Sequence, residues 1–120
     1  MSKKVLVADD SSTMRKIILR SLQAVGVPDA TEACDGEEAV SLFKAAPFDL
    51  VLTDWNMPKK NGLEVIREIR AINATVPIIM VTTEAEKSRV LEAIQAGVSD
   101  YLVKPFTADM LREKLSKFDG

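Results

Sequence analysis

Residues 50–58 read Leu-Val-Leu-Thr-Asp-Trp-Asn-Met-Pro, and this stretch decides the fold. Its first four residues form a short, mainly apolar run without polar alternation, which is typical of a strand buried on both faces. Asp54 follows directly, and Pro58 marks a turn four residues later. The stretch therefore predicts a single carboxylate at the end of a buried strand.

Further strand patterns occur on both sides of this stretch. The other predicted strands are residues 5–8, 29–33, 78–81 and 100–103, of which 29–33 has the weakest pattern and is expected near the sheet edge. Each strand is followed by apolar residues at helical spacing.

Start and stop signals delimit the predicted helices. Ser11 or Ser12 caps the first helix and Gly26 ends it, whereas the second covers 37–46 and stops at Pro47. The third helix begins at the turn of Asn61 and Gly62, the fourth at a capping box over 83–86, and the last at Thr107. In the fourth helix Val90, Ile94 and Gly97 share one face.

Five strand-helix units in 120 residues are too few for an eight-stranded barrel. The alternating pattern favours an α/β fold, an open parallel sheet with helices on both faces, in a single domain over residues 1–120. Right-handed crossovers then place the carboxyl end of every strand on one rim, where sites in such folds are found.

Composition excludes several classes of function. The formal charge of -2 argues against a nucleic-acid partner, and no apolar run approaches the roughly 20 residues of a membrane span. Cys34 is the only cysteine, so no internal disulfide can form, and there is no histidine to act as a base or metal ligand. Because the first strand pattern begins so near Met1, no signal peptide is expected, and a cytoplasmic protein is the default.

Polar side chains follow four of the predicted strands. They are Asp9 and Asp10, Asp54, Thr82, and Lys104. If the first and third strands are neighbours, the three carboxylates converge, and two unit charges about 4 Å apart repel by about 4 kcal/mol at an effective dielectric near 20. A cation relieves this repulsion, and oxygen ligands alone favour Mg²⁺.

A carboxylate surrounded by a cation, a lysine and a hydroxyl is suited to phosphoryl transfer. Asp54 would act as the nucleophile, with Lys104 and Mg²⁺ offsetting charge on the phosphoryl oxygens. Thr82 would hydrogen-bond one of those oxygens, and the Asn56 carbonyl lies close enough along the chain to reach the metal. Each residue also has a plainer interpretation: the Asp pair as a helix cap, Thr82 as a strand-end hydroxyl and Lys104 as a solvated charge.

Four segments give the chain a resemblance to the receiver domains of two-component response regulators, most closely to single-domain members that act in chemotaxis. They are Val-Ala-Asp-Asp-Ser-Ser-Thr-Met-Arg at 7–15, Asp-Trp-Asn-Met-Pro at 54–58, Met-Val-Thr-Thr-Glu-Ala at 80–85 and Tyr-Leu-Val-Lys-Pro-Phe at 101–106. The resemblance covers essentially the whole chain. It implies a flavodoxin-like sheet with strand order 2-1-3-4-5, an order taken from the family.

The resemblance also implies roles for the rim residues. Asp9, Asp10, Asp54 and the Asn56 carbonyl would bind Mg²⁺, while Asp54 would accept a phosphoryl group from the phosphohistidine of a partner kinase. Lys104 would contact that group. The chain would be a switch that assists its own phosphorylation and dephosphorylation, and it would not be a dedicated enzyme.

Switching in the family implies movement of two further side chains. Thr82 would move towards the phosphoryl group and Tyr101 would turn inward, remodelling the face of the fourth helix, fifth strand and fifth helix where a target protein docks. A phosphatase is a further candidate partner, a monomer is the default, and a cis Lys104-Pro105 bond is expected.

Other functions are compatible with parts of the pattern. A phosphatase of the haloacid-dehalogenase type also uses an Asp nucleophile but needs a second acid two residues later, where this chain has Asn56. A flavin carrier would need a Gly- and hydroxyl-rich loop after the first strand, where Asp9 and Asp10 would repel a phosphate. A phosphorelay shuttle, or a regulator of a kinase or phosphatase outside chemotaxis, would use the same chemistry as the receiver.

Overall fold

Strands and helices alternate along the chain in a computed structural model that describes residues 3–83 and 87–118. The elements are β1 Val5–Ala8, α1 Ser12–Ala24, β2 Ala30–Ala33, α2 Gly36–Ala45, β3 Leu50–Thr53, α3 Gly62–Ile72, β4 Ile78–Thr82, α4 Lys87–Ala96, β5 Asp100–Val103 and α5 Ala108–Ser116. None of these described helices is long and apolar enough to cross a membrane.

The strands form one parallel sheet in the order β2-β1-β3-β4-β5. This order confirms the predicted fold, with the weakly patterned β2 at one edge. Strand β1 pairs with β3 so that Ala8 lies opposite Thr53, which brings the residues that follow these two strands to the same rim. Boundaries differ slightly from prediction, since β4 extends to Thr82 and α2 spans Gly36–Ala45.

Both faces of the sheet are covered, because the central strands are buried throughout. Alternate strand residues point to opposite sides, so Leu6 and Val51 contribute to one core and Val5 and Leu50 to the other. Helices α2, α3 and α4 supply side chains to the first core, whereas α1 and α5 supply the second. Helices on both faces were predicted from the continuous apolar strands, and this is confirmed.

Helix α4 covers the core with a face that helical spacing alone does not identify. Ala93 is fully buried, whereas Ile94 is 57% exposed and Leu91 is 52% exposed. The face shared by Val90, Ile94 and Gly97 is therefore not the one that covers the core. The predicted capping box at 83–86 includes residues outside the described ranges.

Each of the other four helices begins, close to the rim, at a residue whose side chain caps the helix N-terminus. Ser11 is the cap of α1, Asp35 of α2, Asn61 of α3 and Thr107 of α5. Asn61 is part of a full capping box, because Glu64 returns a side-chain contact to the Asn61 backbone N–H. Since Ser11 caps α1, the preceding acidic pair is not needed as a cap.

Asp100 fixes the start of β5 against α5. Its carboxylate accepts hydrogen bonds from the Tyr101 N–H at 2.7 Å, Lys114 at 3.0 Å and Lys117 at 3.1 Å. Burial raises the pKa of Asp100, but these hydrogen bonds and the lysine charges outweigh burial and leave that pKa below its usual range.

We expect Asp100→Asn to lower the free energy of unfolding at pH 7 by roughly 0.5–1 kcal/mol, a value reduced by solvent screening of the lysines. Because the folded-state pKa is lowered, the wild-type advantage is present above the ordinary carboxyl pKa of 3.8 and is lost as the pH falls below it. Urea unfolding of both proteins at pH 7 and at pH values down to about 3 measures this. A stability difference independent of pH would contradict the role assigned to the charge.

Candidate functional site

Three carboxylates meet at the carboxyl rim of β1 and β3. Asp9, Asp10 and Asp54 each offer an oxygen that lies within 4.8 Å of those of the other two. The adjacent strands hold them in place: the Asp54 N–H donates to the Ala8 carbonyl at 2.9 Å, and the Asp9 N–H donates to the Ala33 carbonyl at 3.1 Å. The convergence follows from the β1–β3 register.

The carboxylates differ in their access to solvent. Asp9 is 1% exposed and Asp54 is 8% exposed, whereas Asp10 is exposed. Burial is the main reason that the pKa of Asp54 is raised above its usual value, and the Asp9 charge adds to that effect. The Lys104 ammonium lowers the pKa of Asp54, as do hydrogen bonds from Thr82 and the Trp55 N–H, but they do not cancel the effect of burial.

Lys104 lies between the two buried acids. Its ammonium nitrogen is 2.7 Å from Asp9 Oδ2 and 3.4 Å from Asp54 Oδ2, and its side chain is 8% exposed. The turn after β5 is tied to β4, because the Lys104 N–H donates to the Thr82 carbonyl at 2.9 Å. Lys104 is therefore a buried counter-ion, which excludes its interpretation as a solvated charge.

Both oxygens of the Asp54 carboxylate have neighbours that can polarise them. Oδ1 accepts a hydrogen bond from the Trp55 N–H at 2.7 Å, and Oδ2 faces Lys104. Thr82 is fully buried at the end of β4 and hydrogen-bonds to the Asp54 carboxylate. These contacts fix the orientation of a carboxylate that still reaches solvent.

The donor set fits a hard divalent cation. Three carboxylates and one ammonium leave two formal negative charges at the cluster, and all the side-chain ligand atoms are oxygens. Such a set suits Mg²⁺, which keeps several of its waters when bound. Asn56 lies two residues after Asp54 in the same loop, with its side chain exposed. Asp9, Asp10, Asp54 and the Asn56 carbonyl are thus the candidate ligands.

Tyr101 is not part of the carboxylate cluster. It lies in β5 opposite Met80 of β4, and its half-buried side chain packs against the core on the α3 and α4 side of the sheet. Thr83 is exposed immediately after Thr82. The Lys104-Pro105 bond is cis, as the family resemblance implies.

Several residues that support the rim were not identified from the sequence. Arg15 contacts the Asp9 carbonyl, Arg89 lies over the Trp55 ring with its guanidinium carbon 5.0 Å from the ring centroid, and Gly62 packs on the Asp54 backbone. These contacts join segments far apart in the chain. The Asn61-Gly62 pair was a turn signal, but no local pattern marked either arginine.

Asp9, Asp10, Asp54 and the buried Lys104 thus share one rim of a five-stranded parallel sheet. Residues 5–116 match the response regulator receiver domain family. The chain belongs to this family. Receiver domains are regulatory switches and not dedicated enzymes, which favours a switch over the phosphatase and flavin-carrier alternatives.

Curated relatives and solved structures agree with this assignment. The chain is 45% identical over 116 residues to chemotaxis protein CheY of Pseudomonas aeruginosa, covering 95% of this chain and 94% of the relative. It is 50% identical over 115 residues to chemotaxis protein CheY1 of Helicobacter pylori, covering 93% of each. The structure of Vibrio cholerae chemotaxis protein CheY4 superposes with a TM-score of 0.91 at 33% identity, covering 99% of this chain and 100% of that one.

Proposed function

We propose that residues 1–120 form one receiver domain that is switched by phosphorylation of Asp54, with the phosphohistidine of a partner histidine kinase as donor. The observation that carries this proposal is the contact pattern of Asp54. Its carboxylate is oriented by the Trp55 N–H and Thr82, lies 3.4 Å from the Lys104 ammonium, and borders two further carboxylates.

The transfer step uses the Asp54 carboxylate as the nucleophile. One of its oxygens attacks the phosphorus atom, a P–O bond forms, and the P–N bond to the donor histidine breaks. The leaving ring nitrogen keeps the electron pair of that bond and takes up a proton from solvent. These 120 residues contain no histidine, so the donor histidine lies outside them.

Lys104 supports the transfer from a fixed position. Its ammonium group already faces Asp54 Oδ2, so it can contact phosphoryl oxygens held there without a large movement. Mg²⁺, held by Asp9, Asp10, Asp54 and the Asn56 carbonyl, would offset the remaining negative charge of the phosphoryl oxygens when bound. Asp9 keeps Lys104 in place through the contact at 2.7 Å.

The signal would be read on the face formed by α4, β5 and α5. Thr82 and Tyr101 are the proposed switch residues, since Thr82 touches Asp54 and Tyr101 lies on the neighbouring strand β5. Leu91 and Ile94 of α4 and Val103 of β5 expose 52%, 57% and 39% of their surfaces, which supports a protein partner on this face. The target binds where these apolar residues are exposed.

The proposed setting is chemotaxis, which the names of the relatives support, and the proposed location is the cytoplasm. The protein would act as a monomer with a histidine kinase, a target protein and a phosphatase as partners, and without nucleic acid or membrane contacts. A phosphorelay shuttle, or a regulator of a kinase or phosphatase outside chemotaxis, is the alternative. Binding assays against the target of a chemotaxis relative distinguish these settings.

Incubation with acetyl phosphate and MgCl₂, followed by intact-protein mass spectrometry, tests the proposed chemistry. One phosphoryl group per chain is expected, and it should be removed by hydroxylamine, as an acyl phosphate is. The adduct should require Mg²⁺, which a parallel sample with EDTA checks. An unmodified chain at saturating acetyl phosphate and Mg²⁺ would contradict the proposal.

A further inference from the structure

Arg15 links the edge strand β2 to the backbone of the acidic pair. It lies in the first turns of α1, and its side chain is 15% exposed. Nη1 donates to the Asp9 carbonyl oxygen at 2.6 Å, and Nε donates to Glu32 Oε1 of β2 at 2.9 Å. The planar guanidinium thus contacts two acceptors at once.

The carbonyl that Arg15 contacts belongs to the peptide unit joining Asp9 to Asp10. A hydrogen bond at this oxygen restrains the rotation of that peptide plane, and with it the direction in which the Asp10 side chain leaves the backbone. On its amino side, Asp9 is held by the Ala33 carbonyl at 3.1 Å. Strand β2 therefore restrains the N–H of Asp9 directly, through the Ala33 carbonyl. It restrains the carbonyl of Asp9 indirectly, through Glu32 and Arg15.

Asp9 and Asp10 differ in how their carboxylates are held. Asp9 Oδ1 accepts from the Ser11 N–H at 2.9 Å, and Oδ2 contacts Lys104 at 2.7 Å. The Asp10 carboxylate is exposed, and within residues 3–83 and 87–118 it takes part in no hydrogen bond or ion pair. Its position therefore depends on the backbone that Arg15 fixes.

We propose that Arg15 is a positioning residue that sets the divalent-cation affinity of the acidic rim. The inference rests on the proposed Mg²⁺ site and adds a residue outside the ligand set. Because Glu32 offsets the charge of Arg15, the contribution of the pair to the rim is geometric. Groups that orient metal ligands typically change metal affinity by about 10- to 100-fold when they are replaced.

Two variants separate geometry from charge. Arg15→Lys keeps the charge but cannot span both acceptors with a single planar group. The double variant Arg15→Met with Glu32→Gln removes one positive and one negative charge, so the formal net charge stays at -2. We expect the Kd for Mg²⁺ to rise about tenfold in both proteins.

Arg70→Lys is the matched control. Arg70 also donates to backbone carbonyls, at 2.9 Å to Gly97 and 2.7 Å to Val76, but it joins α3 to the segments before β4 and β5 and has no contact with the acidic rim. Its replacement should lower the unfolding midpoint without changing the Kd for Mg²⁺. Calorimetric titration with MgCl₂ alone measures binding, and thermal unfolding confirms that each variant is folded.

The outcomes distinguish this inference from the proposed function. Weaker Mg²⁺ binding in both Arg15 variants and unchanged binding in Arg70→Lys support the positioning role. Unchanged or tighter binding in the Arg15 variants overturns that role while leaving the metal site intact. If the unsubstituted protein binds no Mg²⁺, the metal site and the role of Arg15 are both overturned.

Discussion

Asp54→Asn should yield a protein that carries no phosphoryl group after treatment with acetyl phosphate and Mg²⁺, although its fold is more stable than that of the unsubstituted chain. The adduct is lost because an amide oxygen is a poor nucleophile and the acyl phosphate cannot form. Asn is nearly the same size as Asp, and its side-chain oxygen can still accept the Trp55 N–H, which donates to Asp54 Oδ1 at 2.7 Å. The backbone around residue 54 should therefore keep its conformation.

The gain in stability follows from the charges at the rim. Asp54 is 8% exposed and close to the carboxylates of Asp9 and Asp10, so removal of its charge relieves repulsion in a partly desolvated cluster. Lys104 does not lose its only partner, because its closer contact is to Asp9 at 2.7 Å. We expect the free energy of unfolding to rise by about 1 kcal/mol, which is within the range that a single stabilising substitution commonly gives.

Intact-protein mass spectrometry and urea unfolding measure the two effects. Asp109→Asn is the matched control, since Asp109 is an exposed aspartate in the first turn of α5. That variant should form the adduct as the unsubstituted protein does. An adduct of equal yield on Asp54→Asn would place the acceptor at another residue, and a large loss of stability would mean that the charge of Asp54 is needed to hold the rim together.

The fold could be predicted from the sequence because its central strands are buried on both faces. Leu50–Thr53 and Val5–Ala8 are mainly apolar runs directly followed by an acid, so their bounds could be identified without tertiary information. Right-handed connections between parallel strands then bring the following residues to one rim. The meeting of Asp9 with Asp54 depends on the β1–β3 pairing, which was taken from the family resemblance.

Residues that act through tertiary contacts could not be predicted in this way. Arg15 and Arg89 have the sequence pattern of ordinary solvent-facing helix residues, and only the assembled fold brings them to the Asp9 carbonyl and the Trp55 ring. The exposed Ile94 was placed by helical spacing on a face with Val90, but spacing alone does not state which face of α4 meets the sheet. The predicted second helix begins at residue 37, but its cap lies before it: the Asp35 side chain accepts the Glu38 N–H at 2.7 Å and caps α2.

Gly62→Ala should be strongly destabilising, although it replaces glycine by the best helix former at the first residue of α3. A Cβ atom at this position would overlap the carbonyl oxygen of Asp54 and crowd the Trp55 backbone. The Gly62 N–H also donates to the Trp55 carbonyl at 2.7 Å, so the loop cannot move away without losing that hydrogen bond. We expect a loss of about 3 kcal/mol in the free energy of unfolding.

The overlap between the added Cβ and the Asp54 carbonyl oxygen should also slow phosphorylation, because it displaces the backbone of Asp54, the proposed phosphoryl acceptor. Urea unfolding and the rate of adduct formation from acetyl phosphate measure both effects. Gly26→Ala is the control: Gly26 has a φ of +84° and no atom near the added Cβ, so its cost of about 1 kcal/mol comes from backbone strain alone and should leave the phosphorylation rate unchanged. If Gly62→Ala proved as stable as the unsubstituted protein, helix propensity would outweigh the contact, and Gly62 would not restrain the acceptor loop.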